Sequence, residues 1–317
     1  MVMRAFALDE LGAAGSVHQL PIPEPEEGEI LIAVHAAAVN AVDPMYASGM
    51  FKDYMEHRLP LVLGLDFAGV VERRGPQVDG LSIGDAVYGI AAKPFVGAGT
   101  FAESVTAGAD DTAPKPASLD FTEAASVPTA GLTALAAIEA VDPRPGQVIV
   151  LHGATGGVGS FAAQLAAARG ATVVAVTAGG GAAQARDYGA AETIDYESGS
   201  VAEELRTRYP AGVDAVISTH RDLESVVAIA EAMRKGGLVV SPAIRAEDGA
   251  AALQPLGVTF KSANRLAPSR LPELTALIDA GQLRVPPITV YKLEATADAL
   301  AAMATGHVRG KLVIRIR

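Results

Sequence analysis

The sequence has no cysteine and no tryptophan among its 317 residues. The missing cysteines exclude disulfide bonds, thiol nucleophiles and every zinc site that needs a thiolate ligand. Charged residues make up only 19% of the chain, and the net charge of −11 disfavours non-specific binding to nucleic acid or anionic membranes. Long apolar runs are also missing, since alanine-rich stretches such as 161–168 are too short to cross a bilayer. We expect a cytoplasmic protein with neither a nucleic-acid nor a membrane partner.

The length and the remaining composition indicate a two-domain α/β protein. A chain of 317 residues, half of them hydrophobic, fits two domains of ordinary size. Residues 1–120 contain many short β-patterns separated by glycine and proline, which predicts a small barrel. Strand and helix patterns alternate over 148–242, which predicts a doubly wound parallel sheet. Its expected strands are 148–151, 172–177, about 192–195, 213–218, 237–242 and 258–261, and its helices begin near 158, 181, 200 and 222.

A glycine-rich turn stands at the start of the alternating region. The apolar run 148–151 is followed by H-G-A-T-G-G-V-G at 152–159 and then by a helical pattern. The G-x-G-x-x-G spacing falls on Ala154, Gly156 and Gly159, with alanine at the first position. Glycines let the backbone approach a diphosphate, and the N–H groups of the helix N-terminus hold its charge. The alternative is a tight turn that binds nothing. We favour a dinucleotide site formed by Ala154, Thr155, Gly156, Gly157, Val158 and Gly159.

Several motifs occur together in a specific order and resemble one family along essentially the whole chain. The matching stretches are A-A-A-V-N-A-V-D at 36–43, L-P-L-V-L-G-L-D-F-A-G-V-V-E at 59–72, G-D-A-V-Y-G at 84–89, G-L-T-A at 131–134, the glycine turn, A-A-E-T-I-D-Y at 190–196 and G-H-V-R-G-K-L-V-I at 306–314. The chain resembles the medium-chain dehydrogenase/reductases, specifically their zinc-free quinone oxidoreductase and enone reductase branch. The resemblance implies a GroES-like catalytic domain from 1–120 and 268–317, with a Rossmann domain at 121–267 inserted into it.

The zinc ligands of the metal-dependent relatives have no counterpart in this sequence. Those relatives carry a catalytic cysteine after the first long strand and a further ligand in a G-H-E segment, whereas the second segment here reads Gly64-Leu65-Asp66. Leucine cannot bind zinc, and the six histidines show no ligand spacing. We expect no metal site and a structural, hydrogen-bonding role for Asp66.

The resemblance also implies catalytic roles for three residues near the end of the strand pattern 29–39. Asn40 stands where the family contacts the nicotinamide ribose, and we favour this role over the alternative of a turn amide that satisfies backbone groups. Asp43 has a similar position, and an Asx-turn or a helix N-cap is an equal alternative. The family's tyrosine position is Met45 here. Tyr46 follows it, and either faces the substrate as a proton donor or packs into the core.

The cofactor preference depends on the end of the second parallel strand. NAD enzymes usually place an acid there, but Thr177 is followed by Ala-Gly-Gly-Gly, so we favour NADP(H). The family's lysine in this loop is replaced by Gly181, and the positive charge would come from Arg186, Arg265, Arg309 or Lys311. In the family, the residues at the positions of Thr133 and Tyr196 also contact the cofactor. The alternative for Thr133 is a helix-capping role. The predicted cofactor-binding residues are therefore Asn40, Thr133, the glycine turn, Thr177, Tyr196, Arg309 and Lys311.

The function implied by the resemblance is hydride transfer from NADPH to a quinone or an α,β-unsaturated carbonyl. Such a substrate needs position and polar stabilisation more than a Lewis acid. One alternative is a reductase that tailors a secondary metabolite. Another is a non-catalytic NADPH-binding redox sensor, favoured by the displaced tyrosine and the unusual S-T-H-R loop at 218–221. We also expect a homodimer.

Overall fold

The computed structural model describes residues 1–263 and 266–317. It divides into two compact units: unit 1 is Met1–Thr129 with Ala267–Arg317, and unit 2 is Ala130–Leu266. The first of these boundaries lies later than the expected 120/121, because residues 121–125 form a helix that packs on the strands of unit 1. The Phe121 ring stacks on His35 at a centroid distance of 4.2 Å. Arg265, a candidate source of positive charge, lies outside the described residues.

Strands and helices alternate along unit 2, as the sequence predicts. The strands are β1 (Val2–Leu8), β2 (Ser16–Pro21), β3 (Glu29–Val39), β4 (Glu56–Val62), β5 (Asp66–Arg74), β6 (Ala86–Ile90), β7 (Phe95–Ala98), β8 (Ser104–Gly108), β9 (Thr112–Pro114), β10 (Val148–His152), β11 (Thr172–Thr177), β12 (Glu192–Asp195), β13 (Val213–Ser218), β14 (Met233–Ser241), β15 (Thr259–Ser262), β16 (Ile288–Lys292) and β17 (Lys311–Arg315). The α-helices are α1 (Asp43–Ala47), α2 (Phe121–Ala125), α3 (Pro128–Val141), α4 (Gly157–Ala168), α5 (Ala182–Asp187), α6 (Val201–Arg208), α7 (Leu223–Ala230), α8 (Ala246–Leu253), α9 (Leu271–Asp279) and α10 (Thr296–Ala304).

Unit 1 is built from two sheets with mostly antiparallel pairing. One sheet has the order β2-β1-β4-β7, and the other has the order β16-β17-β3-β5-β6-β9 with β8 paired to β3. The long strand β3 pairs with β17, β5 and β8, so it joins the two ends of the chain. Apolar side chains of these strands, among them Phe6 and Phe67, fill one core cluster together with Phe101 from the segment between β7 and β8.

Unit 2 is a six-stranded parallel sheet with the order β12-β11-β10-β13-β14-β15. Residues 149–151 and 173–176 are buried, as expected for strands covered on both faces by helices. The strand order reverses between β10 and β13, and ligands of doubly wound sheets bind outside the carboxyl ends of the strands at such a reversal. The predicted α/β fold class is confirmed. In the described residues, no helix is long and apolar enough to span a bilayer.

Candidate cofactor and active site

The glycine turn of unit 2 joins the carboxyl end of β10 to the start of α4. Gly156 is the N-cap of α4 and has no side chain to satisfy the first N–H groups of that helix. A Cβ added to Gly156 would meet only the Gly153 carbonyl oxygen at 3.5 Å, so the space over this residue is open. A Cβ on Gly159 would lie 2.2 Å from that same oxygen, so the helix packs directly on the turn. An open backbone surface at a helix N-terminus fits a diphosphate group.

The end of β11 is lined by small side chains. Thr177 is buried, and its hydroxyl donates to the Ala178 carbonyl at 3.0 Å. A Cβ added to Gly181 would lie 2.8 Å from the Thr155 methyl carbon and 3.1 Å from Cβ of Thr177. The position at which the family carries a lysine is therefore packed against two threonines here. Gln184 completes this corner by donating to the Thr155 carbonyl oxygen at 2.9 Å.

A carboxylate that we did not predict as a site residue lies beside this strand end. Asp195 is the register partner of Thr177 on β12. One of its carboxylate oxygens lies 2.6 Å from the position that a Cβ on Gly179 would occupy. The carboxylate accepts hydrogen bonds from the Glu197 N–H at 3.0 Å and the Ser198 hydroxyl at 3.1 Å. The signal was in the sequence, because neighbouring parallel strands end at one sheet edge, and the pattern A-A-E-T-I-D-Y places an acid at that edge.

Two stacked histidines, also not predicted, stand at the reversal of strand order. His152 ends β10, and its Nδ1 lies 3.1 Å from the Ser218 hydroxyl at the end of β13. The His220 ring stacks on His152 at a centroid distance of 4.2 Å. Burial, with a further contribution from His220, lowers the pKa of His152 to about 3, so this ring is neutral at physiological pH. Gly153 has φ +90°, and a Cβ there would lie 2.2 Å from the Thr219 hydroxyl.

In unit 1, Asn40 follows the last residue of β3, and Asp43 begins α1. The two Asp43 carboxylate oxygens accept hydrogen bonds from the N–H of Asn40 at 2.7 Å and of Gly64 at 3.2 Å. The side chain of Asp43 has no exposed surface. The Asp43 carboxylate therefore bonds back to the N–H three residues earlier and across to Gly64, which is neither an Asx-turn nor a helix N-cap, and its catalytic role stays a prediction.

The carboxamide of Asn40 is held by two oppositely charged side chains. Its Oδ1 accepts from the Lys311 ammonium at 2.6 Å, and its Nδ2 donates to Asp66 at 3.0 Å. Lys311 also donates to the Val39 carbonyl at 3.1 Å and lies 3.8 Å from Asp66. The other Asp66 oxygen accepts from the N–H and hydroxyl of Thr129 at 3.1 and 2.5 Å. The expected hydrogen-bonding role of Asp66 agrees with these contacts.

The surroundings of Lys311 do not favour the expectation that it offers a free charge to a 2′-phosphate, which stays a prediction. Its side chain is only 5% exposed, and its ammonium is already hydrogen-bonded inside unit 1. Burial lowers the pKa of Lys311, and the charges of Asp66 and Asp43 oppose that shift. Burial likewise raises the pKa of Asp66, and it raises the pKa of Asp43 to about 7. Each charge in this cluster thus depends on the others for its stabilisation.

The remaining candidates stay predictions. Tyr46 is partly buried and packs edge-on to Phe51 at 5.4 Å, and burial raises its pKa. Thr133 is buried on α3, whereas Arg309 is exposed in unit 1. Tyr196 is 40% exposed, and its N–H donates to the Thr177 carbonyl at 3.2 Å. The Arg186 guanidinium donates to the Thr193 hydroxyl at 2.9 Å.

A metal fits poorly with the donor side chains present. Among residues 1–263 and 266–317, no group of three or more histidine, aspartate or glutamate side chains is placed to hold a metal ion. The carboxylate of Asp66, in the segment where zinc-dependent relatives have a ligand, is occupied by Asn40, Thr129 and Lys311.

Comparisons with known proteins agree with this geometry. Residues 26–117 match the model of the alcohol dehydrogenase GroES-like domain, and residues 188–314 match a zinc-binding dehydrogenase model. A mitochondrial NAD(P)H oxidoreductase of Homo sapiens is 31% identical over 91% of this chain and 82% of its own length. A chloroplastic NADPH-dependent alkenal/one oxidoreductase of Arabidopsis thaliana is also 31% identical, over 98% of this chain and 79% of its own. The solved structure of a quinone oxidoreductase from Coxiella burnetii superposes with a TM-score of 0.89 at 31% identity, covering 100% of both chains.

Proposed function

Because this chain belongs to the medium-chain dehydrogenase/reductase superfamily and is an NAD(P)H-dependent oxidoreductase, we propose that it reduces quinones or α,β-unsaturated carbonyls without zinc. The observation that carries the proposal is the open glycine turn at the reversal of strand order, in a chain that resembles reductases of these substrates. A bound NADPH supplies the hydride. The protein supplies binding, orientation and hydrogen-bond donors.

Each residue's proposed role combines the resemblance with that residue's own contacts. The backbone of the glycine turn and the N-terminus of α4 would hold the diphosphate. Thr177 and Tyr196 would contact the adenosine end, and the Asn40 amide would contact the nicotinamide ribose. In an enone, the carbonyl withdraws charge from the β carbon, and the product enolate needs a hydrogen-bond donor. Tyr46 is the proposed donor.

The donor set supports the zinc-independent mechanism. The chain has no cysteine, and Leu65 stands in the segment that supplies a ligand in zinc-dependent relatives. Asp66 is committed to Asn40 and Thr129. These residues do not fit the tetrahedral nitrogen and sulfur coordination that catalytic zinc requires.

A steady-state assay tests the function. Purified protein is incubated with NADPH and a panel of quinones, alkenals and alkenones, and oxidation of NADPH is followed by absorbance. We expect turnover with at least one substrate class and none in Gly156→Val, whose new side chain occupies the space over the turn. Tight NADPH binding without turnover across the panel would favour the redox-sensor alternative. Absence of both binding and turnover would reject the proposed function.

A further inference from the structure

Both polar atoms of the Asn40 side chain are bound inside unit 1. An asparagine amide can rotate by 180° about its last bond, which exchanges its donor and its acceptor. Lys311 has only donors and Asp66, when ionised, has only acceptors. The contacts of Oδ1 with Lys311 at 2.6 Å and of Nδ2 with Asp66 at 3.0 Å are therefore compatible with one orientation. One Nδ2 hydrogen is used by Asp66, and the amide has a second N–H with which it can donate to a further acceptor.

The carboxylate of Asp66 is itself held in place. Thr129 donates two hydrogen bonds to one oxygen, from its N–H at 3.1 Å and its hydroxyl at 2.5 Å. The other oxygen is thereby turned towards Asn40 and lies 3.8 Å from the Lys311 ammonium. Asp43 fixes the backbone of the same residue, because its carboxylate accepts the Asn40 N–H at 2.7 Å.

We propose that Lys311 and Asp66 are positioning residues that hold the carboxamide of Asn40 in the one orientation in which its free N–H binds NADPH. The proposal rests on the proposed function. Lys311 also draws electron density from the Asn40 carbonyl oxygen, which makes the amide N–H a stronger donor. The pair acts through Asn40 and does not itself touch the cofactor or the substrate.

Stability alone explains this pair poorly. The Lys311 side chain is 5% exposed and that of Asp66 is 0% exposed, so both charges are removed from water. Replacing a buried ion pair by apolar residues of similar volume is often neutral or stabilising, because desolvation offsets the attraction. A function that needs a fixed amide gives a reason for placing two charges against Asn40.

A double-mutant cycle on NADPH binding tests the proposal. The dissociation constant is measured by fluorescence titration for the natural protein, Lys311→Met, Asn40→Ala and the double variant. We expect each single variant to bind NADPH about tenfold more weakly, the loss that corresponds to about 1.4 kcal/mol. If Lys311 acts through Asn40, the double variant binds no more weakly than Asn40→Ala alone. Additive losses, or unchanged binding in Lys311→Met, would overturn the proposal.

Two further variants keep the test decisive if Lys311→Met fails to fold. Asp66→Asn with Lys311→Met removes both charges together and retains an oxygen for Thr129, so it avoids an unpaired buried charge. The control is Lys93→Met, which breaks the partly buried Lys93–Glu29 ion pair elsewhere in unit 1. This control should lower the unfolding temperature without changing NADPH affinity.

The outcomes separate this inference from the proposed function. A natural protein that neither binds NADPH nor reduces the substrate panel defeats both. A natural protein that binds and reduces, combined with additive losses in the cycle, defeats only the positioning role. An equal loss of affinity in Lys93→Met would show that general destabilisation, and not the orientation of Asn40, weakens binding.

Discussion

The carboxylate of Asp195 lies at the strand end where Thr177 replaces the acid of NAD enzymes. Because a 2′-phosphate is repelled by a nearby negative charge, Asp195 should limit the preference for NADPH. We expect Asp195→Asn to raise the ratio of kcat/KM for NADPH over NADH by about tenfold, the effect of a charge contact of about 1.4 kcal/mol. Asparagine can keep the hydrogen bonds to Glu197 and Ser198, so the fold should be unaffected. Steady-state kinetics with both cofactors measures the ratio.

The matched control for Asp195→Asn is Glu197→Gln, which removes an exposed carboxylate two residues further along. It should leave the ratio unchanged. Thr177→Asp adds a carboxylate to the same strand end and should shift the ratio towards NADH. If Asp195→Asn and Glu197→Gln change the ratio equally, only the overall charge of the surface matters, and Asp195 does not face the ribose.

Asp43 should make the stability of unit 1 depend on pH. Burial is the largest cause that raises its pKa from 3.8 to about 7, and the charge of Asp66 adds to the rise while Lys311 opposes it. Between these values the folded state holds a proton that the unfolded state has lost. The contribution of this group to the free energy of unfolding therefore falls as pH rises from about 4 to about 7, by up to ~1.4 kcal/mol per pH unit.

Asp43→Asn removes this titration and provides the comparison. Urea denaturation of both proteins at a series of pH values gives the difference in free energy of unfolding, natural protein minus variant. We expect the difference to decrease across that window and to level off above it. Parallel pH profiles for the two proteins would mean that Asp43 is ionised throughout and that the hydrogen bonds from Asn40 and Gly64 outweigh its burial.

Single-residue contacts were the least predictable part of the site. Asn40 and Lys311 are 271 positions apart, and no local pattern connects them. The absence of the family's loop lysine made Lys311 one of four candidate sources of positive charge, because a sequence shows that a lysine is charged but not which groups surround it. The pairing of β17 with β3, in which Leu312 lies opposite Val39, brings Lys311 next to Asn40.

At the level of elements, the strand, turn and helix around 148–168 were predicted from apolar runs and glycine spacing. The expected helix starts at 200 and 222 are the N-cap residues Ser200 and Asp222, whose side chains accept the first backbone N–H groups. The apolar stretch 62–72 is not one continuous strand, because it contains the end of β4 and the start of β5. Gly64 has φ +97°, a conformation that breaks a strand and that the sequence does not reveal.

Two glycines of the same turn should respond differently to substitution. Gly156 has open space above it, so Gly156→Val should fold normally and lose NADPH binding. Gly159→Ala places a Cβ 2.2 Å from the Gly153 carbonyl oxygen, so α4 must move away from the turn. We expect Gly159→Ala to lower the unfolding temperature by several degrees, as for a change of about 1–3 kcal/mol.

Thermal unfolding and fluorescence titration of both variants, with the natural protein as reference, separate the two roles. A Gly156→Val variant that folds and binds NADPH with natural affinity would place the diphosphate elsewhere. A Gly159→Ala variant as stable as the natural protein would show that the helix adjusts without strain.

At the scale of the whole molecule, the alternating pattern was enough to predict the parallel sheet of unit 2. The barrel-type unit was harder to define, because its strands come from both ends of the chain and pair in an order unrelated to the sequence. The start of the inserted unit lies at Ala130 and not at 121, since α2 contacts β3 and β5. Composition could not show this, because α2 and α3 are similar in sequence character.

The composition of the entire chain determines the expected response to metal removal. Thiolate ligands are missing because there is no cysteine in 317 residues, and the histidines show no ligand spacing in the sequence. We expect purified protein to contain far less than one zinc per chain by elemental analysis. NADPH-dependent reduction should be unchanged after dialysis against a chelator, because the proposed mechanism assists hydride acceptance by a conjugated carbonyl with hydrogen-bond donors and not with a Lewis acid. Stoichiometric zinc, with activity lost on chelation and restored by added zinc, would contradict this expectation and require ligands outside the segments compared with the zinc-dependent relatives.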